Sequence, residues 1–157
     1  MCVLEDGLTV WRKREGRSVA TEEEKQSYID EMARERGYVL DYHKVMARQD
    51  FEVLQAANGL VDAAYLKQRT LDRKVKELIF IVSLTVMRAS KGHIKSHIQV
   101  ALDLGVSKEE ILEAIEISIP EAGVVAFQTG FDAWREVTGA EGMEPSVEVF
   151  EGGSGSE

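Results

Sequence analysis

Between residues 21 and 138, apolar side chains recur at intervals of three and four. That is the spacing of one face of an α-helix, not the alternation of a strand. Thr21 and Glu24 form a capping box that opens a helix carrying Tyr28, Ile29 and Met32, and Gly37 ends it. A second helix is predicted over about 40–49. A third, capped by Asp50, places Val53, Leu54, Ala57, Leu60, Val61, Ala64 and Tyr65 at helical spacing. Over about 72–89 the pattern turns apolar nearly all round, through Leu78, Ile79, Phe80, Ile81 and Val82. A helix without a polar face is buried at the centre or shared with a partner subunit. Another helix, about 90–104, ends at Gly105, and Ser107 with Glu110 caps the next, which carries Ile111, Leu112, Ile115 and Ile119. Pro120 separates it from a last helix with Val124, Phe127, Phe131 and Trp134. The pattern predicts an all-α bundle of about six helices over residues 21–139.

The ends read differently. In residues 1–20, Asp6-Gly7 suits a turn between Cys2-Val3-Leu4 and Leu8-Thr9-Val10-Trp11; a basic arm with Arg12, Lys13, Arg14 and Arg17 is the other reading. Residues 140–157 are acidic and rich in glycine and serine, too poor in apolar groups to order themselves. The net charge of −9 repels nucleic acid phosphates and anionic lipid, so neither is an expected partner. Cys2 is the single cysteine, which rules out an intrachain disulfide and a CxxC redox pair. The longest apolar stretch, 78–87, is too short to span a bilayer. With no basic leader ahead of an apolar core, a cytoplasmic location is expected.

Candidate chemistry concentrates on one helix. Ser90, His93 and His97 stand at spacings of three and four, in a row that continues to Ala101 and Leu104. Two imidazoles in an inward-facing stripe need hydrogen-bond partners, and Glu77 on the preceding buried helix is the candidate. Both rings are therefore expected in one enclosed chamber with an acidic neighbour. Arg88, Lys91 and Lys95 are candidates for substrate carboxylates, although basic residues at a helix edge are most often simply solvated. Phe127 and Phe131 are candidates for a pocket wall. His43 reads as an exposed or packing residue.

The segments Lys76-Glu77-Leu78-Ile79, Ser90-Lys91-Gly92-His93-Ile94-Lys95-Ser96-His97 and Ala101 to Ile111 resemble the core of the carboxymuconolactone decarboxylase family, shared with alkylhydroperoxidase D-like proteins. The resemblance spans residues 40–138. It implies an alkylhydroperoxidase D-like helical fold, assembly into homo-trimers or hexamers, and a role in aromatic compound catabolism. The family's C-x-x-C-x-x-x-H maps its cysteines onto Ser90 and His93 and its histidine onto His97. A hydroxyl and an imidazole have no disulfide state, so thiol peroxidase chemistry is excluded and the decarboxylase branch is the nearer analogy. Glu77 lies slightly further upstream than the family's glutamate, and Ile119-Pro120-Glu121-Ala122-Gly123 departs from the decarboxylases' glycine-proline turn.

The resemblance thus implies a cofactor-independent lyase acting on a small carboxylated lactone or enone. His97 would be the principal acid/base, His93 a second donor, and Glu77 the group that fixes a tautomer, while Ser90, Lys91, Lys95, Arg88 and Phe127 would contact substrate. Imidazole suits the task because its pKa lies near neutrality. Isomerisation without carbon dioxide loss is open to the same pair. Two rivals stand beside it: a metal-dependent enzyme using His93, His97 and Glu77, and a helical oligomer or binding protein without catalysis. Neither a metal nor a cofactor is expected on the main reading.

Overall fold

The computed structural model describes residues 20–140. Apart from Ala20 and Ala140, the expected N-terminal arm or hairpin and the acidic tail lie outside the described residues. The elements are α1 (Glu22–Arg36), α2 (Asp41–Gln49), α3 (Phe51–Val61), a π-helical turn (Asp62–Leu66), α4 (Arg73–Val86), α5 (Lys91–Asp103), α6 (Lys108–Glu116), α7 (Ser118–Ala122) and α8 (Val124–Thr138). No strand occurs among the described residues, and the all-α expectation holds. The capping signals act as anticipated. Thr21 and Ser107 each close a capping box, Asp50 and Asp72 accept from the backbone N–H groups of Val53 and Val75, and Gly37 and Gly139 end helices in left-handed conformations. Pro120 does more than separate two helices. It sits in the first turn of the short α7, where its missing N–H costs nothing.

Helix α4 packs against α5, α6, α7 and α8. Their shared core includes Ile81, Leu84, Ile94, Ile98, Ala101, Ile111, Ile115 and Trp134. A second, smaller core, built from Ile29, Met32, Ala47 and Leu54 with Tyr28 and Phe51, joins α1, α2 and α3. The molecule is therefore two packed helical units.

Three sequence expectations change here. Helix α4 is not buried all round: Ile81, Leu84 and Thr85 face inward, whereas Val75 and Ile79 are exposed on the far side. Along α3 only Leu54 is buried, and Val53, Ala57 and Leu60 are exposed. The π turn then adds a residue to the helical register, so Tyr65 swings inward while Ala64 stays outside. Val124 is also exposed at the start of α8.

Gly37 brings the two units together. Its φ of +86° is a conformation other residues avoid, and a Cβ there would lie 3.0 Å from Val100 Cγ2 on α5. The close approach sets the next residues, Tyr38 onward, against α5.

Candidate active site

Glu77 sits one turn into α4 and is fully buried. A carboxylate there needs donors on both oxygens. Arg73, one turn earlier on α4, donates its Nε–H to Oε1 at 2.6 Å, and the Tyr65 hydroxyl donates to the same oxygen. His97 Nδ1 lies 2.7 Å from Oε2. Burial alone would raise the Glu77 pKa, but the hydrogen bonds from His97, Tyr65 and Arg73 outweigh it and hold the carboxyl below its ordinary value. Glu77 is therefore an anion, and Nδ1 of His97 carries the hydrogen that faces it.

That bond fixes the remaining nitrogen. In the neutral ring Nε2 is the acceptor, and the Tyr38 hydroxyl stands 3.1 Å away to donate to it. The ring, 1 % exposed, is held by packing: Phe80 stacks on it at 4.8 Å with 3° between planes, and Tyr65 and Tyr38 meet it edge-on at 5.8 and 5.1 Å. Burial raises the Tyr38 pKa, opposed by Arg36, so the hydroxyl keeps its proton near neutral pH. A hydrogen-bonded line thus runs from Glu77 through His97 to the half-buried hydroxyl of Tyr38.

The surrounding contacts tie this line to the fold. Arg73 also donates through Nη2 to the Tyr65 hydroxyl at 2.7 Å and to the Arg36 carbonyl at 3.0 Å, satisfying an orphan at the end of α1. Its guanidinium lies 4.1 Å from the Tyr65 ring centroid. Lys76, buried, donates to the carbonyls of Tyr65 and Lys67 at 3.0 and 2.8 Å and so pins the π turn.

His93 stands one turn before His97, with ring centroids 5.3 Å apart, but its setting differs. It is half-buried, and its ring nitrogens have no hydrogen-bond partner among the described residues. Burial, followed by the nearby His97 and Arg36, lowers its pKa, which leaves it neutral at pH 7. The expected single closed chamber is thereby corrected: one ring is enclosed and the other lies at the edge. Two cavities, of about 620 and 350 Å³, lie along α1, α2 and the start of α3, and neither is lined by His93 or His97.

The other expected site residues are not brought to this line. Ser90 is exposed at the N-cap of α5 and makes no side-chain capping bond, because the row's inward face begins only at His93. Lys91 and Lys95 form ion pairs with Glu136 on α8 at 2.7 and 3.0 Å, which turns them away from the imidazoles. Arg88 is exposed in a left-handed conformation, with φ 53°. Phe127 stacks with Phe131 against the larger core. His43 is buried, so the exposed half of that reading fails and the packing half stands.

Tyr38, Tyr65, Arg73, Phe80 and Arg36 were not singled out from the sequence. Arg73 carried a usable signal, a cation four residues before Glu77 on a helix. Tyr38 and Tyr65 reach the site through a glycine turn and a π turn, which hydrophobic periodicity does not register.

The model of the carboxymuconolactone decarboxylase family matches residues 52–136, just over half of the chain. The chain belongs to this family. No curated protein matches it. Glu77, His93 and His97 fall inside the segment shared with the carboxymuconolactone decarboxylase family, whereas Arg36, Tyr38 and His43 precede it. Among the described residues, no three His, Cys, Asp or Glu side chains are grouped to hold a metal ion. Glu77 and His97 face each other across a 2.7 Å hydrogen bond. No helix among the described residues is long and apolar enough to cross a membrane.

Proposed function

We propose that this member of the carboxymuconolactone decarboxylase family is a cofactor-independent lyase that decarboxylates a small carboxylated lactone or enone by acid/base catalysis. The observation that carries this reading is the unbroken line Glu77–His97–Tyr38, which leads from a buried carboxylate to a half-buried hydroxyl beside His93. In the substrate, the bond to the departing carboxylate breaks and its electron pair moves into the conjugated carbonyl, giving a dienolate. Carbon dioxide leaves, and one proton must be added at carbon.

The relay suits that step. A proton from solvent reaches His97 Nε2 by way of the Tyr38 hydroxyl. Nε2–H then donates to the Tyr38 oxygen as the Tyr38 hydrogen passes to the dienolate carbon, which returns His97 to its neutral form. Glu77 stabilises the imidazolium while this happens. Tyr38, not His97, is then the group that touches substrate, since His97 is sealed behind aromatic rings. His93, neutral and with unengaged ring nitrogens, is the second acid/base group. The exposed Val53, Leu60, Val75 and Ile79 on α3 and α4 favour a homo-oligomer, trimer or hexamer.

The test is carbon dioxide release from a panel of carboxylated lactones and enones. Tyr38→Phe and His97→Gln should each lower turnover by about 10²–10⁴-fold, the value of a positioned general acid, with the helical circular dichroism spectrum retained. Full activity in either variant overturns the relay. Absence of turnover across the whole panel by well-folded protein overturns the lyase assignment.

A further inference from the structure

Arg36, the last residue of α1, is 5 % exposed, and no carboxylate pairs with it among the described residues. Its Nη2 donates to Asn58 Oδ1 on α3. Its Nε–H finds no acceptor. Its Nη1 lies 3.3 Å from Nε2 of His43, yet that nitrogen is not an acceptor. The Leu40 backbone N–H donates to His43 Nδ1 at 3.0 Å. A neutral imidazole has one acceptor nitrogen, so His43 Nε2 carries a hydrogen and confronts the guanidinium with a donor. Proton uptake by His43 would only add a like charge. Arg36 is therefore a buried cation with an unmet Nε–H, a donor facing its Nη1 and no carboxylate paired with it among the described residues, a costly arrangement unless a partner arrives.

Arg36 precedes Tyr38 by two residues, and its positive charge opposes the rise in the Tyr38 pKa and helps to lower that of His93. Tyr38 and His93 are half-buried, with ring centroids 6.5 Å apart. A planar guanidinium with an unmet N–H matches a delocalised oxyanion, either a carboxylate or an enolate.

From this geometry we infer that Arg36 is the oxyanion-binding group of the site and takes the negative oxygen of a small planar organic acid beside Tyr38 and His93. The inference rests on the proposed lyase reading for its kinetic part only. A cation gripping the departing carboxylate would stabilise the ground state and slow its loss. Arg36 therefore serves the carbonyl oxygen on which charge accumulates as the dienolate forms. Because Arg36 and Tyr38 lie ahead of the segment that matches the family, this anchor is a property of the chain's own N-terminal helices.

Binding and turnover separate the two ideas. 2-Furoate, a planar unsaturated carboxylate, is titrated into the full-length protein while the Arg36 Nε–H and His93 resonances are followed by NMR. Both should shift, and Arg36→Gln should weaken binding about ten-fold or more, the value of a charge-assisted hydrogen bond. Asn58→Asp keeps the shape and supplies an internal carboxylate to Arg36. It should weaken furoate binding by a similar factor in a protein at least as stable as the parent, so a folding defect in Arg36→Gln leaves the inference testable. Furoate affinity that is absent in the parent, or unchanged in Asn58→Asp, overturns it. With a turned-over lactone, Arg36→Lys should lower kcat more than it raises KM. A rise in KM alone overturns the dienolate assignment and leaves a carboxylate anchor. Furoate binding that depends on Arg36 without any turnover would sink the lyase reading and spare this one.

Discussion

His43 illustrates how one buried ring makes the protein sensitive to pH. Burial, then Arg36, then His93 lowers its pKa from 6.5 to about 4. Between those values the unfolded chain binds a proton that the folded chain does not. Stability is therefore complete above pH 6.5 and declines as the pH falls toward about 4, by on the order of 3 kcal/mol over the full window. His93, shifted the same way, adds to the decline. Urea unfolding should show a lower midpoint near pH 5 than near pH 7, and His43→Gln should flatten that difference. An equal pH slope in parent and variant would contradict the assignment. The residue scale also shows where the sequence was informative. Glu77 and His97 were legible because a carboxylate and two imidazoles interrupt apolar helix faces. Arg36 and Tyr38 were not, because residues at a helix end carry no periodic signal.

At the scale of elements, the helix boundaries follow from capping chemistry, and the closeness of the helices follows from small residues. Gly130 on α8 lies against α4: a Cβ there would stand 2.4 Å from Thr85 Oγ1, 2.7 Å from Thr85 Cγ2 and 3.0 Å from Ile115 Cγ2. Thr85 is fully buried and, being β-branched, has little rotamer freedom to yield. Gly130→Ala should thus destabilise by about 1–3 kcal/mol through overpacking, despite alanine's better helix propensity. Adding Thr85→Ala should restore part of the loss. A chemical denaturation midpoint unchanged in the single variant would show that α8 shifts freely. Val75, Ile79, Val53 and Leu60 are exposed in the single chain although the spacing puts them on apolar helix faces, because apolar spacing reports a helix face without saying what covers it.

For the whole molecule, the two cores meet across a seam that mixes hydrogen bonds, Arg73 to the Arg36 carbonyl and Tyr38 to His97, with the packing of Val100 beneath Gly37. Polar contacts contribute less per area than the apolar burial within each unit. Helices α1–α3, with the smaller core, should open at lower free energy than α4–α8. Native-state hydrogen exchange should show the amides of α1 and α2 exchanging through a sub-global opening, while those of α4 and α5 exchange only with complete unfolding. A single exchange free energy for both units would refute this. The expected opening runs along the relay itself, so binding an anion at Arg36 should close the gap between the two free energies.

The sequence by itself determined the all-helical class, most helix ends and the pairing of Glu77 with His97. Caps, glycine stops and i, i+4 spacing are local, and a carboxylate and an imidazole on neighbouring apolar helix faces each need a hydrogen-bond partner that the other supplies. Only the tertiary structure decided which side chains complete the line and which cation stands beside it. Tyr38 and Tyr65 reach His97 through a left-handed glycine, a π turn and the docking of one helical unit on another, and Arg36 ends α1 two residues before Tyr38. Those are events in space between residues as much as 59 positions apart, and the pattern along the chain holds no record of them.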